Sequence, residues 1–339
     1  MMQKQTIPDW PIRRLAVLMF AMTLVAACGN DAKGGETSGT GSSGAEKVKV
    51  TAVTNWFAQA EHGGLYAALE KGFYEEAGLD MTIEPGGPQV SSTQIVASGK
   101  AQFGMGQADQ ILLARESGIP LVVIFASFET SPQGLMVHKE ENIASPAELE
   151  GRNVYVASGA SYWEYLKKAY NLQDVQEMAY TGSLAPFLAD GKVAIQGYVT
   201  SEPYEMREQN VDVDFLLNAD FGYNPYANVL FTTESYLKEN PEIVKAFVNA
   251  TAKGFDYFKE HYEEINPVIQ KENPDMPLEK LNYAAEAMIP LVYGEEAQKS
   301  GVGRMTQERW DTLAQQMTEA GMLKEKPDVT QVFTNEFFE

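Results

Sequence analysis

The chain has 339 residues and a formal net charge of −21, with 47 Asp and Glu against 26 Lys and Arg. That balance excludes nucleic acid as a partner, because phosphate contacts need clustered cations, and otherwise speaks mainly for solubility. Cys28 is the only cysteine, so a disulfide-stapled fold is excluded and core packing alone must hold the domain together.

Arg13 and Arg14 precede an apolar run, Leu15 to Ala27, whose end Val25-Ala26-Ala27-Cys28 fits a lipoprotein cleavage site. Residues 1–27 therefore read as an export signal and Cys28 as the lipidated residue of an extracytoplasmic protein, anchored to a bacterial membrane on its outer face or in the periplasm. The competing reading is a transmembrane anchor. At about 14 residues the run is too short for it, since spanning takes about 20. Residues 28–46 are rich in Gly, Ser and Thr without apolar periodicity, the composition of a flexible linker. Roughly 290 residues remain, enough for two lobes.

Strand-like and helix-like segments then alternate. Val48 to Val53 predicts a strand, Gly64 to Lys71 a helix, Met81 to Ile83 a strand and Ser91 to Ala97 a helix. Phe103 to Gly106 is a short strand, Ala108 to Ser117 a helix and Leu121 to Phe128 a long apolar strand. A second run follows: strands at Val154–Val156, Glu177–Tyr180, Ile195–Thr200 and Phe215–Leu217, with helices at Ser161–Tyr170 and Leu184–Asp190. After a strand at Val229–Thr232 the pattern turns helical. Asn240 caps a helix reaching about His261, with Pro241 in its first turn, and helices follow at Leu278–Leu291 and Gln307–Ala320. The βαβα alternation predicts an α/β fold of two lobes, each a mostly parallel sheet flanked by helices. Residues 47–136 form the first part of lobe one, 137–230 lobe two, and 231–339 the return to lobe one with a helical tail. Crossings near Gly134–His138 and Val229–Thr232 act as hinges.

Six segments in order then become informative: Thr54-Asn55-Trp56-Phe57, His62 to Tyr66, Glu70 to Tyr74, Glu76 to Asp80, Ile95 to Gly104 and Ala126 to Met136. Together they resemble the SsuA/THI5-like (NMT1/THI5-like) family, the substrate-binding proteins of ABC importers, over roughly Val48 to Tyr257. The resemblance implies a type II periplasmic-binding-protein fold. It also implies a small-molecule ligand and, as partners, a permease and an ATPase. No cofactor or metal is implied, and a monomer is expected. Asn55-Trp56 with Tyr66 is most similar to the branch that binds thiamine-pyrimidine precursors, in which an Asn-Trp pair and a second-lobe glutamate line the site. Glu202, in Tyr198-Val-Thr-Ser-Glu202-Pro-Tyr204, stands where that glutamate falls, although the surrounding sequence departs from the branch's pattern. Relatives binding riboflavin, alkanesulfonates or taurine keep those ligands open. Fungal relatives are pyrimidine synthases with a cysteine cluster and pyridoxal phosphate, which a chain with one cysteine does not match.

Open α/β sheets bind ligands beyond the carboxyl ends of their strands. By that rule Asn55 and Trp56 sit at the end of strand one, where an indole covers a flat ring and an amide both donates and accepts. His62 and Tyr66 follow on the next helix, with a solvated loop and core packing as their alternatives. Gln107 stands at the end of strand three, next to Asp109, which is either a helix cap or a contact. Thr130 and Ser131 end the last strand of lobe one. In lobe two, Ser158, Ser161 and Tyr162 mark a strand-to-helix junction with free N–H groups, and Asn224 to Tyr226 precede the return. Tyr198 and Glu202 complete the set, the carboxylate being suited to an aminopyrimidine through charge-assisted hydrogen bonds. His62, His138 and His261 are isolated and lack metal-ligand spacing, and no nucleophile elbow or phosphate loop is present in the sequence.

Overall fold

The computed structural model describes residues 46–339; the export signal, Cys28 and the linker up to residue 45 lie outside them. The first lobe begins with β1 (Val48–Val53), α1 (Gly63–Glu70), α2 (Phe73–Glu76), β2 (Leu79–Glu84), α3 (Ser92–Ala97), β3 (Phe103–Gly106), α4 (Ala108–Glu116) and β4 (Leu121–Phe128). The second lobe runs through β5 (Gln133–His138), β6 (Asn153–Val156), α5 (Ser161–Ala169), β7 (Gln176–Ala179), α6 (Ala185–Ala189), β8 (Ala194–Tyr198), α7 (Glu202–Glu208) and β9 (Val213–Leu217). The chain then returns through β10 (Ala227–Thr233) to α8 (Glu234–Glu239), α9 (Pro241–Glu272), α10 (Leu278–Val292), α11 (Glu295–Ser300) and α12 (Gln307–Glu319).

The first sheet has the order β2-β1-β3-β10-β4 and the second β7-β6-β8-β5-β9. β1 pairs in parallel with β2 and β3, and β6 in parallel with β7 and β8. Each sheet also takes one antiparallel strand from a crossing: β10 lies between β3 and β4, and β5 between β8 and β9. The two expected hinges are therefore corrected. Gly134–His138 and Val229–Thr232 are interior strand segments held on both edges, and the chain passes between sheets at residues 129–132 and 218–226. β5 brings only three consecutive apolar residues, Leu135, Met136 and Val137, too short a run to signal a central strand by itself.

β4 is buried at all eight positions, as expected of a continuous apolar strand covered on both faces. At the start of α4 the Gln110 side chain reaches back to accept from the Gln107 N–H at 3.2 Å, half of a capping box, while the Gln110 N–H donates to Asp109 Oδ1. Asn240 does occupy the cap position of α9, but its side chain donates back to the Tyr236 carbonyl instead of accepting from the helix. α9 breaks at His261, whose φ and ψ are −135° and 28°, and then resumes to Glu272. Downstream Pro267 lacks an N–H, and its ring crowds the carbonyl one turn earlier, near that break.

The first-lobe core is built from α1, β1, β3, β4, α9 and α10. Phe103 stacks on Phe247 at 3.8 Å, and Phe125 on Phe255 at 5.4 Å. α1 and α9 cross closely because both carry glycine at the contact: a Cβ on Gly254 would stand 2.1 Å from the Gly64 carbonyl oxygen. Gly-to-Ala inside a helix ordinarily gains up to about 1 kcal/mol. Here the forced separation of two backbones outweighs that gain, so Gly254→Ala is expected to lose about 1–3 kcal/mol overall. Urea unfolding measures it, and a neutral or stabilised variant contradicts the close crossing.

Candidate functional site

The carboxyl ends of β1 and β3 in one lobe and of β7 and β8 in the other face a common cleft of about 770 Å³. Asn55, Trp56 and Gln107 line it from the first lobe; Tyr180, Gln196, Tyr198 and Glu202 line it from the second. Among the described residues no Lys or Arg lines it. Trp56 is 38% exposed, its one aromatic neighbour among the described residues is Phe57 at 5.8 Å, edge-on, and its indole is available as a stacking face. Gly86 lets the opposing loop approach this segment, since a Cβ there would meet the Thr54 carbonyl oxygen at 2.1 Å.

A chain of amides fixes the first-lobe wall. Asn228 on β10 adopts a left-handed backbone (φ 46°), and its N–H donates to Gln107 Oε1 at 3.4 Å. A backbone N–H can only donate, so Gln107 Nε2 must be the donor to Asn228 Oδ1 (3.1 Å) and to the Tyr198 hydroxyl (2.8 Å). Asn55 Nδ2 donates to the same Asn228 oxygen at 2.9 Å, which leaves Asn55 Oδ1 to accept from His62 Nε2 at 3.0 Å. His62 is fully buried, and desolvation pushes its pKa down to about 3, so it serves as a neutral Nε2–H prop behind Asn55.

Glu202, at the start of α7, accepts from the Tyr198 N–H at 2.7 Å and from the Tyr180 hydroxyl at 3.5 Å. Gly197 makes room for it: a Cβ there would meet the carboxylate at 2.8 Å. Burial raises Glu202 to about 7 despite the lowering effect of the Tyr198 N–H. Two further carboxylates join the lobes. Glu61 is 2% exposed and accepts from the Thr200 hydroxyl across the cleft; Asp109 in α4 stands against the Ser161 hydroxyl of α5. Burial raises both, and the hydrogen bonds named pull against it. On another side of the lobe contact, Lys280 pairs with Glu205, and the Tyr283 hydroxyl donates to the Val199 carbonyl at 3.2 Å.

Of the residues singled out in the sequence, Asn55, Trp56, Gln107, Tyr198 and Glu202 come together around the cleft. The others lie elsewhere. His62 sits behind Asn55 rather than in a solvated loop. Tyr66 is 2% exposed in the first-lobe core, and its hydroxyl has no hydrogen-bond partner among the described residues. Thr130 and Ser131 belong to the first crossing, where Thr130 N–H donates to the Leu291 carbonyl and Ser131 N–H to Asn224 Oδ1. Ser158 is exposed and not among the residues lining the cleft, Ser161 meets Asp109, and the Tyr162 hydroxyl donates to Gln196. Asn224 and Tyr226 lie in the second crossing. Sequence reasoning missed Tyr180, which the strand-end rule reaches one residue past β7. It also missed Gln196 and Asn228, which carry no local signal, being ordinary polar residues inside strands.

The raised Glu202 has a defined consequence for stability. A carboxyl that binds its proton more tightly when folded stabilises fully below its unfolded value of 4.5, and that contribution is lost as pH rises through about 7. Glu202→Gln, which keeps the shape and cannot ionise, is therefore expected to gain on the original chain by on the order of 2 kcal/mol between those limits and level off above them. Thermal or urea unfolding at stepped pH tests this; a constant difference across the range contradicts it.

Comparison with known proteins agrees with this architecture. The family model described as NMT1/THI5 like matches residues 59–265. A riboflavin-binding protein, RibY of Chloroflexus aurantiacus, is 28% identical over 304 residues, 85% of this chain and 86% of that protein. A formylaminopyrimidine-binding protein of Halalkalibacterium halodurans is 23% identical, covering 88% of this chain and 91% of the relative. Further relatives are named pyrimidine phosphate synthases. In fold, the periplasmic aliphatic sulphonate binding protein SsuA of Escherichia coli superposes with a TM-score of 0.66 at 15% identity, over 85% of this chain and 91% of its own. Two lobes of this topology, closing on a cleft at their strand ends, and a model match through both of them place the chain in the NMT1/THI5-like family.

Proposed function

We propose that this chain is the extracytoplasmic solute-binding component of an ABC importer, tethered by lipid on Cys28, which closes its lobes on a flat, uncharged heteroaromatic molecule and delivers it to a permease. The carrying observation is the lining of the cleft: an exposed indole, two tyrosines, several amides and two carboxylates, Glu61 and Glu202, with no cation among the described residues. Binding and closure need only ligand contacts that favour the closed state. A thiamine-pyrimidine precursor such as a hydroxymethyl- or formylamino-pyrimidine suits Glu202, because its amino group supplies the donors a carboxylate wants. A second reading, an isoalloxazine, is favoured by size. A cleft of about 770 Å³ lies in the upper part of the range for drug-sized ligands and leaves room for fused rings. Sulfonates fit least, since Glu202 and Glu61 would face the anion with no Arg or Lys in the lining among the described residues. Synthase chemistry is likewise disfavoured, because the fungal enzymes' cysteine cluster has no counterpart in a chain with one cysteine.

Calorimetry with aminopyrimidines, riboflavin and taurine tests the reading: one of the first two should bind, and micromolar taurine binding would overturn the uncharged-ring assignment. Trp56→Ala is expected to cost on the order of 1–3 kcal/mol of affinity, the scale of base–aromatic stacking, with unaltered unfolding. If affinity survives in a folded variant, the indole does not stack on the ligand. Cys28→Ser should abolish labelling by a palmitate analogue while ligand binding persists; label retained in the variant sinks the anchor.

A further inference from the structure

Gln196 occupies the middle of the second-lobe wall, on β8 two residues before Tyr198, so the two side chains share one face of the strand. Its Oε1 accepts two protons from behind, from the Ala157 N–H at 2.5 Å and from the Tyr162 hydroxyl at 2.7 Å. The Ala157 N–H is an obligate donor, so the atom it meets must be the oxygen and the amide cannot be turned over. Gln196 Nε2 makes no hydrogen bond among the described residues, and the residue lines the cleft. Tyr198 is constrained in the same way: its oxygen accepts from Gln107 Nε2, so its own hydrogen points elsewhere. The two residues thus offer protons, while Glu202, whose oxygens take the Tyr198 N–H and the Tyr180 hydroxyl, offers lone pairs.

We propose that Gln196 is a specificity-determining residue, locked as a hydrogen-bond donor by Tyr162 and the Ala157 N–H, so that with Tyr198 it selects ligands presenting carbonyl oxygens or bare ring nitrogens there and rejects those presenting amino groups. Tyr162 is the positioning residue that holds this polarity. The inference rests on the uncharged-ring reading above and narrows it: the ligand carries acceptors toward Gln196 and Tyr198 and an N–H toward Glu202, the pattern of a ring with carbonyls flanking an N–H.

The test uses two fused-ring probes of inverse polarity, lumichrome, which carries ring carbonyls, and 2,4-diaminopteridine, which carries amino groups. Each is titrated at up to millimolar concentration, at pH 7.5, into the original chain, Gln196→Glu and Gln196→Met. Gln196→Glu keeps an oxygen for the two rear donors and replaces the cleft-facing N–H₂ by an acceptor. The original chain should prefer lumichrome by about tenfold, and Gln196→Glu should move the affinity ratio toward the diamino ring by about tenfold or more. Gln196→Met, which offers neither, should lose lumichrome without gaining the diamino ring, and it serves as the test should the glutamate variant unfold. A ratio that stays within about threefold in both variants overturns the assignment of Gln196 while leaving the uncharged-ring reading intact. If neither ring binds the original chain, this inference falls; the uncharged-ring reading falls with it only if the aminopyrimidines and riboflavin fail to bind as well.

Discussion

The first sheet cannot close until the chain has been through the second lobe. β10 fills the place between β3 and β4, and it arrives only after β9. The reciprocal loan, β5 between β8 and β9, ties the second sheet to the strand that leaves the first. Neither lobe is therefore an independent stretch of sequence, and the cleft between them has walls made by non-local pairing. The site inherits this: Asn228, the hub that orients Asn55 and Gln107, is carried on β10, so the binding wall of the first lobe is finished by residues that follow the second.

This constraint also explains what could be read from the sequence. Most strands and the long helices were legible because their apolar periodicity is local, and Asn55, Trp56, Gln107, Tyr198 and Glu202 were legible because strand ends can be counted along the chain. β5 was not, because three apolar residues become a central strand only when β8 and β9 flank them. Gln196 and Asn228 were not, because their importance lies in partners 34 to 173 residues away. Tyr66 shows the opposite failure. On a helix next to the site, core and cleft faces differ by about half a turn, roughly two residues, and only packing against α9 and α10 decides between them.

At the cleft itself two carboxylates meet hydroxyls of the other lobe, Glu61 at Thr200 and Asp109 at Ser161, while a cation joins the lobes on another side, at Lys280–Glu205. A buried carboxylate with a neutral partner recovers little of its lost hydration. Such contacts are specific in geometry yet weak enough to break, which suits lobes that must part to admit and release a ligand. The amide chain is the contrary case: Asn228, Gln107 and Asn55 are neutral and mutually satisfied, so the wall keeps its polarity without electrostatic cost.

At the crossings, Arg309 of α12 donates to the carbonyl oxygens of Glu129 and Asn224, one in each connecting segment, and its guanidinium lies 4.0 Å from the Tyr226 ring centroid. The carboxylate of Glu129 in turn receives the N–H groups of Glu296 and Ala297 at the start of α11. The pivot is thus clamped from the C-terminal tail, by backbone carbonyls that no substitution in the crossings themselves would remove. Capture and recognition are thereby separable: a change in α12 can stiffen or loosen the swing, and with it the rate at which solute is trapped, while every atom that touches the solute stays as it was.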